Sequence, residues 1–346
     1  MGRTASSFLP LVCYLLTGTA VTTISQVINN KHFTGDSVQA LACIKYVSTL
    51  LVSLLDSSLR SSSGGQGRAG SRAPPRSAKQ KQLMLVIGCI DVMAYAAFCI
   101  GFAYCDGAVA TLVLAAGGQI FTAILSKYIM KKSLTQGQLL GVALVCIGLC
   151  MRGIPSALSS AKGDMSLDVE ATQRMYVGLA SLVFAALAYS LLGVMYQTLV
   201  SVGENPPSHG EIMLQASLIG LASMAGYEVF HVLPKWPTLV KMPMQQSGTT
   251  TGQALGLLAT FGAVYNCHSY ASGVVFRTDG AQGVGIVNAM RGATVAIVSH
   301  LCFCSPQRPL QCLTPLSAAS AATVTAGGII WVKSASPVTK PQKKQQ

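Results

Sequence analysis

Apolar and small side chains run along this chain in long blocks separated by short polar breaks, and each block is long enough to cross about 30 Å of hydrocarbon as a helix. Ten blocks can be marked: Phe8 to Ile28, Val38 to Leu55, Leu83 to Tyr104, Gly107 to Ser126, Leu134 to Met151, Met175 to Val200, Ile212 to Leu233, Ala254 to Phe276, Gln282 to Phe303 and Leu310 to Val332. None has the alternation of polar and apolar positions that a membrane β-strand needs over about ten residues. The pattern predicts an all-α membrane protein of ten transmembrane helices. Arg3 ahead of an apolar stretch resembles a signal peptide, but the first block continues past Thr17 to Ala20 as far as Ile28 and is read as a true span.

Composition agrees. The 346 residues are 51% hydrophobic and 10% charged, with a mean hydropathy of +0.51, whereas a soluble domain carries roughly 25% charged residues. That excludes an ordinary soluble globule. A net charge of +13 would point to nucleic acid in a soluble chain; here it reads as position along the membrane normal, and the bilayer is the expected partner. One set of alternate loops and termini holds fourteen basic residues and the other seven. The positive-inside rule therefore puts both termini in the cytosol.

The chain also resembles itself. Residues 106 to 126 align without gaps to residues 279 to 299, seven of 21 positions being identical, including Asp106-Gly107-Ala108 with Asp279-Gly280-Ala281. A repeat of five spans must run through the membrane in the opposite sense the second time, so the expected architecture is a 5+5 inverted repeat, as in many secondary transporters. The expected organisation is a first repeat over 1–152 with a disordered Ser/Arg-rich cytosolic loop at 56–82, a lumenal linker at 153–174, a second repeat over 175–333, and a cytosolic tail at 334–346. The tail ends Lys343-Lys344-Gln345-Gln346, which resembles a dilysine endoplasmic-reticulum retrieval signal that coat proteins read.

Charge inside a span is expensive and marks candidate function. Lys45 lies within the second span, Asp91 in the third, Arg291 in the ninth, and Glu228 with His231 near the end of the seventh. Asn288 and Arg291 share a face of the ninth span, and Tyr265, Asn266, His268 and Tyr270 stud the eighth, with Tyr265 and His268 on one face. The bland alternative is an internal ion pair of Asp91 with Lys45 or with Arg291. Most of the eleven cysteines fall within spans and read as packing residues, with a lumenal disulfide at Cys105 or Cys304 left open. No cofactor or metal-ligand pattern is present in the sequence. There are no paired carboxylates, Ser/His dyad or His-rich site at catalytic spacing, which argues against an enzyme.

Over nearly its whole length the chain resembles the drug/metabolite transporter superfamily, and within it the solute carrier 35 or nucleotide-sugar transporter group. Locally, His268-Ser269-Tyr270 through Arg277-Thr278 to Gly285-Ile286-Val287-Asn288 looks like the helix-eight and helix-nine region of GDP-sugar carriers. Their helix-nine motif is Gly-Ala-Leu-Asn-Lys; Gly285 and Asn288 match it, while Ala289 stands in place of the lysine and Arg291 is the nearest cation. The resemblance implies an antiporter-like carrier of the endoplasmic reticulum or Golgi for a nucleotide sugar or related phosphorylated anion. Lys45, Asp91, Tyr265, Asn266, His268, Asn288 and Arg291 are its candidate binding residues. A same-fold carrier of a neutral or cationic metabolite and a non-transporting scaffold or trafficking protein are the alternatives, and a homodimer is compatible with each.

Overall fold

The computed structural model describes residues 9–33, 38–63, 76–105, 107–129, 131, 134–161, 169–201, 207–278, 280–305 and 311–334. Among them every regular element is a helix: α1 (Leu9–Lys31), α2 (Ala40–Ser63), α3 (Ala78–Cys105), α4 (Gly107–Ile129), α5 (Gln136–Ala161), α6 (Val169–Ser201), α7 (His209–Tyr227), α8 (Thr251–Thr278), α9 (Gly280–Phe303) and α10 (Pro315–Ser334). Five stretches, Leu9–Lys31, Ala78–Cys105, Val109–Ile129, Gln173–Tyr196 and Gly210–Lys235, have the length and hydropathy that a membrane crossing needs. Such segments must satisfy their backbone groups internally, and helices do so.

Several boundaries differ from the apolar blocks, because a helix ends where its backbone bonds end and not where hydrophobicity stops. α2 continues to Ser63 and α3 begins at Ala78, both inside the stretch expected to be loop at 56–82. α5 runs on to Ala161 and α6 starts at Val169, inside the expected linker. Five starts are fixed by reciprocal caps, in which a hydroxyl takes the N–H three residues on and that residue's side chain takes the cap's own N–H. They are Ser77 with Gln80, Thr135 with Gln138, Ser208 with Glu211, Thr250 with Gln253 and Thr314 with Ser317. After Tyr227 the chain stays helical through Gln246 in irregular turns, π-type at Glu228–Val232 and Pro237–Lys241, where Pro234, Pro237 and Pro243 interrupt regular bonding. The Asp106 and Asp279 turns, the body of the Ser/Arg-rich loop, and Lys343 with Lys344 lie outside the described residues.

Packing follows a rule. Among helices that are not neighbours in sequence, the principal pairs are α3 with α6, α4 with α6 and α3 with α7, then α8 with α1, α9 with α1 and α8 with α2, then α2 with α7, α4 with α9 and α5 with α10. Exchanging the first five helices for the last five returns the same set. α5 and α10 cross most closely: a Cβ on Gly141 would stand 2.7 Å from the Gly327 carbonyl oxygen, and one on Gly327 2.7 Å from that of Gly141. Seven residues further along α5, the Ser320 hydroxyl donates to the Gly148 carbonyl at 2.6 Å. Residue numbers rise on α5 as they fall on α10, so the two run antiparallel. Tyr46 against Gly220, with Cys43 donating to Glu228 at 3.7 Å, gives α2 and α7 the same opposed sense.

Helix ends group accordingly. The ends of α1 and α3 and the start of α4 meet where Gln26 accepts from the Gly107 N–H and Asn29 donates to the Ala103 carbonyl. At the opposite end Arg76 pairs with Glu211 at 2.6 Å, joining the starts of α3 and α7.

Candidate functional site

Two neighbouring groups of polar side chains form where α1, α2, α3, α6, α8 and α9 come together. The first is neutralised internally. Lys45 Nζ on α2 lies 2.7 Å from Asp91 Oδ2 on α3, and the same oxygen accepts the Tyr46 hydroxyl at 3.0 Å. The ammonium also stands over the rings of Tyr46 at 4.5 Å and Tyr95 at 4.3 Å. A carboxylate and two π-faces thus offset the desolvation of Lys45, whose residue is only 6% exposed. Of the two pairings open to Asp91, the structure realises the one with Lys45. Glu228 engages Cys43 and neither cation.

The second group centres on Arg291. Among the described residues this guanidinium has no ion-pair partner, although it is partly buried. Around it α1 supplies a platform. Tyr14 stacks on His268 with centroids 4.8 Å apart and planes 14° from parallel, and its hydroxyl donates to Asn288 Oδ1 at 3.5 Å. Thr17 Oγ1 lies 3.3 Å from His268 Nδ1. Gly18 faces both Arg291 and His268: a Cβ there would stand 2.9 Å from Arg291 Cδ and 2.9 Å from His268 Cε1. Tyr14, Thr17 and Gly18 fall at i, i+3 and i+4, one helix face.

Of the sequence-predicted residues, the structure brings Tyr265, His268, Asn288 and Arg291 together, Tyr265 meeting His268 edge-on at 6.1 Å. Tyr265 and Tyr189 of α6 each lie within electrostatic range of both Asp91 and Arg291. The Asn266 Oδ1 atom is buried with no hydrogen-bond partner among the described residues. Tyr270 points outward at 52% exposure and belongs to neither group. Sequence reasoning missed Tyr14, Thr17, Gly18, Tyr46, Tyr95 and Tyr189. A polar and small stripe at helical spacing in the first span was the available signal for the α1 face.

Beyond the site, Cys304 and Cys312, which lie between α9 and α10 in the chain, form a disulfide, whereas the Cys105 thiol donates to the Met175 carbonyl. His300, Cys304 and Cys312 bring potential ligand atoms within 4.8 Å of one another. Both sulfurs are committed to the disulfide, and His300 Nδ1 accepts the Leu313 N–H at 3.1 Å, so the cluster is a structural staple.

No family model and no curated relative matches the chain. Among solved structures, one described as "Crystal structure of protein" is similar with a TM-score of 0.56 and 12% identity, over 95% of this chain and 96% of that one. At that identity the likeness concerns the fold alone: the chain shares a full-length all-helical architecture with a known structure.

Proposed function

We propose that the chain is a ten-span endomembrane carrier built as a 5+5 inverted repeat, which moves a nucleotide sugar or related phosphorylated anion by alternating access. The packing pairs that survive exchange of the two halves, with α2 and α5 antiparallel to α7 and α10, support the repeat. The Cys304–Cys312 disulfide supports a lumenal α9–α10 turn, since disulfides persist in oxidising compartments.

The observation that carries the anion assignment is the contrast between the two cations. Lys45 is paired with Asp91, whereas Arg291 has no ion-pair partner among the described residues. A guanidinium binds phosphate through paired hydrogen bonds, and Asn288 adds an amide beside it. The Tyr14–His268 stack and Tyr265 offer planar faces for a base.

The reading is tested by thermal-shift measurements on the purified protein with nucleotides, nucleotide sugars, amino acids and amines, followed by uptake into proteoliposomes. Nucleotide-type ligands should raise the melting temperature and others should not. A second reading, a carrier of a cationic metabolite, draws on the carboxylate and aromatic cage around Lys45. Stabilisation by amines with none by nucleotides would favour it.

A further inference from the structure

The helical path that begins at His209 does not stop where a membrane crossing would. From His209 to Gln246 it covers 38 residues, about 57 Å at 1.5 Å per residue, against about 30 Å of hydrocarbon. Its two ends after Tyr227 sit at one level. Glu228 accepts from Cys43, close to the start of α2 at Ala40. Met244 packs on the cluster of Ile28, Phe33 and Ala254, which joins the end of α1 to the start of α8. Both points belong to the same end of the bundle. A helical rod of about 24 Å whose ends share a level must lie along that level, not across it.

The rod has an inner and an outer surface. Val232 and Val240 are buried at 1% and 7%. On the outside Phe230 is 84%, Leu233 62% and Trp236 50% exposed, with Lys235 and Lys241 exposed beside them. Large apolar side chains, a tryptophan and lysines on one exposed helical surface suit the boundary between acyl chains and headgroups, where indole sits at headgroup depth and ammonium groups meet phosphates.

We infer that Glu228–Gln246 is an in-plane strap in the headgroup region of the leaflet at that end, lumenal in the topology above. Phe230, Leu233 and Trp236 enter the acyl boundary, and Lys235 and Lys241 hold anionic phospholipid. The inference rests on the chain being a membrane protein and does not depend on its solute.

Trp236 and Trp331 are the two tryptophans, so Trp331→Phe leaves Trp236 as the sole indole, excited selectively beyond the tyrosine absorption. In bilayers with dibrominated lipids, Trp236 should be quenched more by bromines near the carbonyls than by bromines near the chain ends. A second protein carrying Trp331→Phe, Trp236→Phe and Phe184→Trp reports on the outward-facing Phe184 position in the middle of α6, and should show the reverse order. Quenching of Trp236 by brominated phosphatidylglycerol should exceed that by brominated phosphatidylcholine about twofold, and Lys235→Gln with Lys241→Gln should abolish the preference. Trp236 unquenched at both depths while the indole at position 184 is quenched would overturn the strap and leave the spanning reading intact. If neither is quenched, both fall. Equal quenching by the two headgroups removes the anionic-lipid assignment.

Discussion

Gly18 on α1 stands directly against Arg291 on α9, and a methyl group at this glycine would approach Arg291 Cδ and His268 Cε1 to 2.9 Å each. The missing side chain is what lets α1 bring Tyr14 and Thr17 up to His268 while leaving the guanidinium room.

Gly18→Ala is therefore expected to leave a folded protein in which Arg291 or His268 is displaced. Overpacking of this kind costs about 1–3 kcal/mol. Affinity for a stabilising anion should fall about tenfold, which corresponds to about 1.4 kcal/mol. Isothermal titration beside a melting curve measures both, and unchanged affinity would show that the α1 platform does not shape the site.

Arg291→Ala should abolish anion uptake into proteoliposomes without lowering the melting temperature, because among the described residues the guanidinium has no ion-pair partner to leave stranded. Arg291→Lys keeps the charge but loses the planar fork, so uptake should be weak and not absent. Full uptake by a well-folded Arg291→Ala protein would remove the anion-site assignment.

The opposite behaviour is expected of Lys45 and Asp91. Asp91→Asn leaves a buried ammonium with a neutral amide, π-faces and hydroxyls about it but no counter-charge, and breaking a buried pair costs about 3–5 kcal/mol. Lys45→Met in the same protein should recover most of that loss. A double substitution no more stable than the single one would mean that the loss does not come from a stranded Lys45 ammonium.

Reduction of Cys304–Cys312 in sealed microsomes by a membrane-impermeant phosphine should occur only after the vesicles are opened, if the α9–α10 turn is lumenal. Peptide mapping of the alkylated protein reads the outcome. Closing so short a loop, with a sequence separation of 8, contributes about 2.5 kcal/mol by the chain-entropy argument, so a Cys304→Ser, Cys312→Ser protein should melt earlier.

Helix starts illustrate why part of the fold was legible and part was not. The blocks beginning at Leu83, Leu134, Ile212 and Ala254 located four helices, yet each begins three to six residues earlier in the sequence or a little later, at the position its cap dictates: Ser77, Thr135, Ser208 and Thr250. The Ser/Thr-x-x-Gln/Glu signature is present in the sequence, but it is polar and leaves no mark on the hydropathy pattern. Within the site, Arg291 with Asn288 and Tyr265 with His268 were legible because each pair lies on one helix at helical spacing. Tyr14, Thr17 and Gly18 were not, because their role comes from α8 and α9, more than 240 residues away.

The sequence by itself determined that the chain is helical and apolar enough for a membrane, and which few charges lie within apolar helices. These are local or compositional properties, fixed by hydropathy and by the need of each backbone to bond within its own helix. Only the tertiary structure decided that Asp91 neutralises Lys45 and not Arg291, that Cys304 takes Cys312, and that the chain after Tyr227 turns aside with both its ends at one level. Helices that are apolar on every side carry no sequence mark of the face that meets a neighbour. Which charges meet is then settled by how the helices pack, where a close approach such as Gly141 on Gly327 depends on a shape that neither helix has alone.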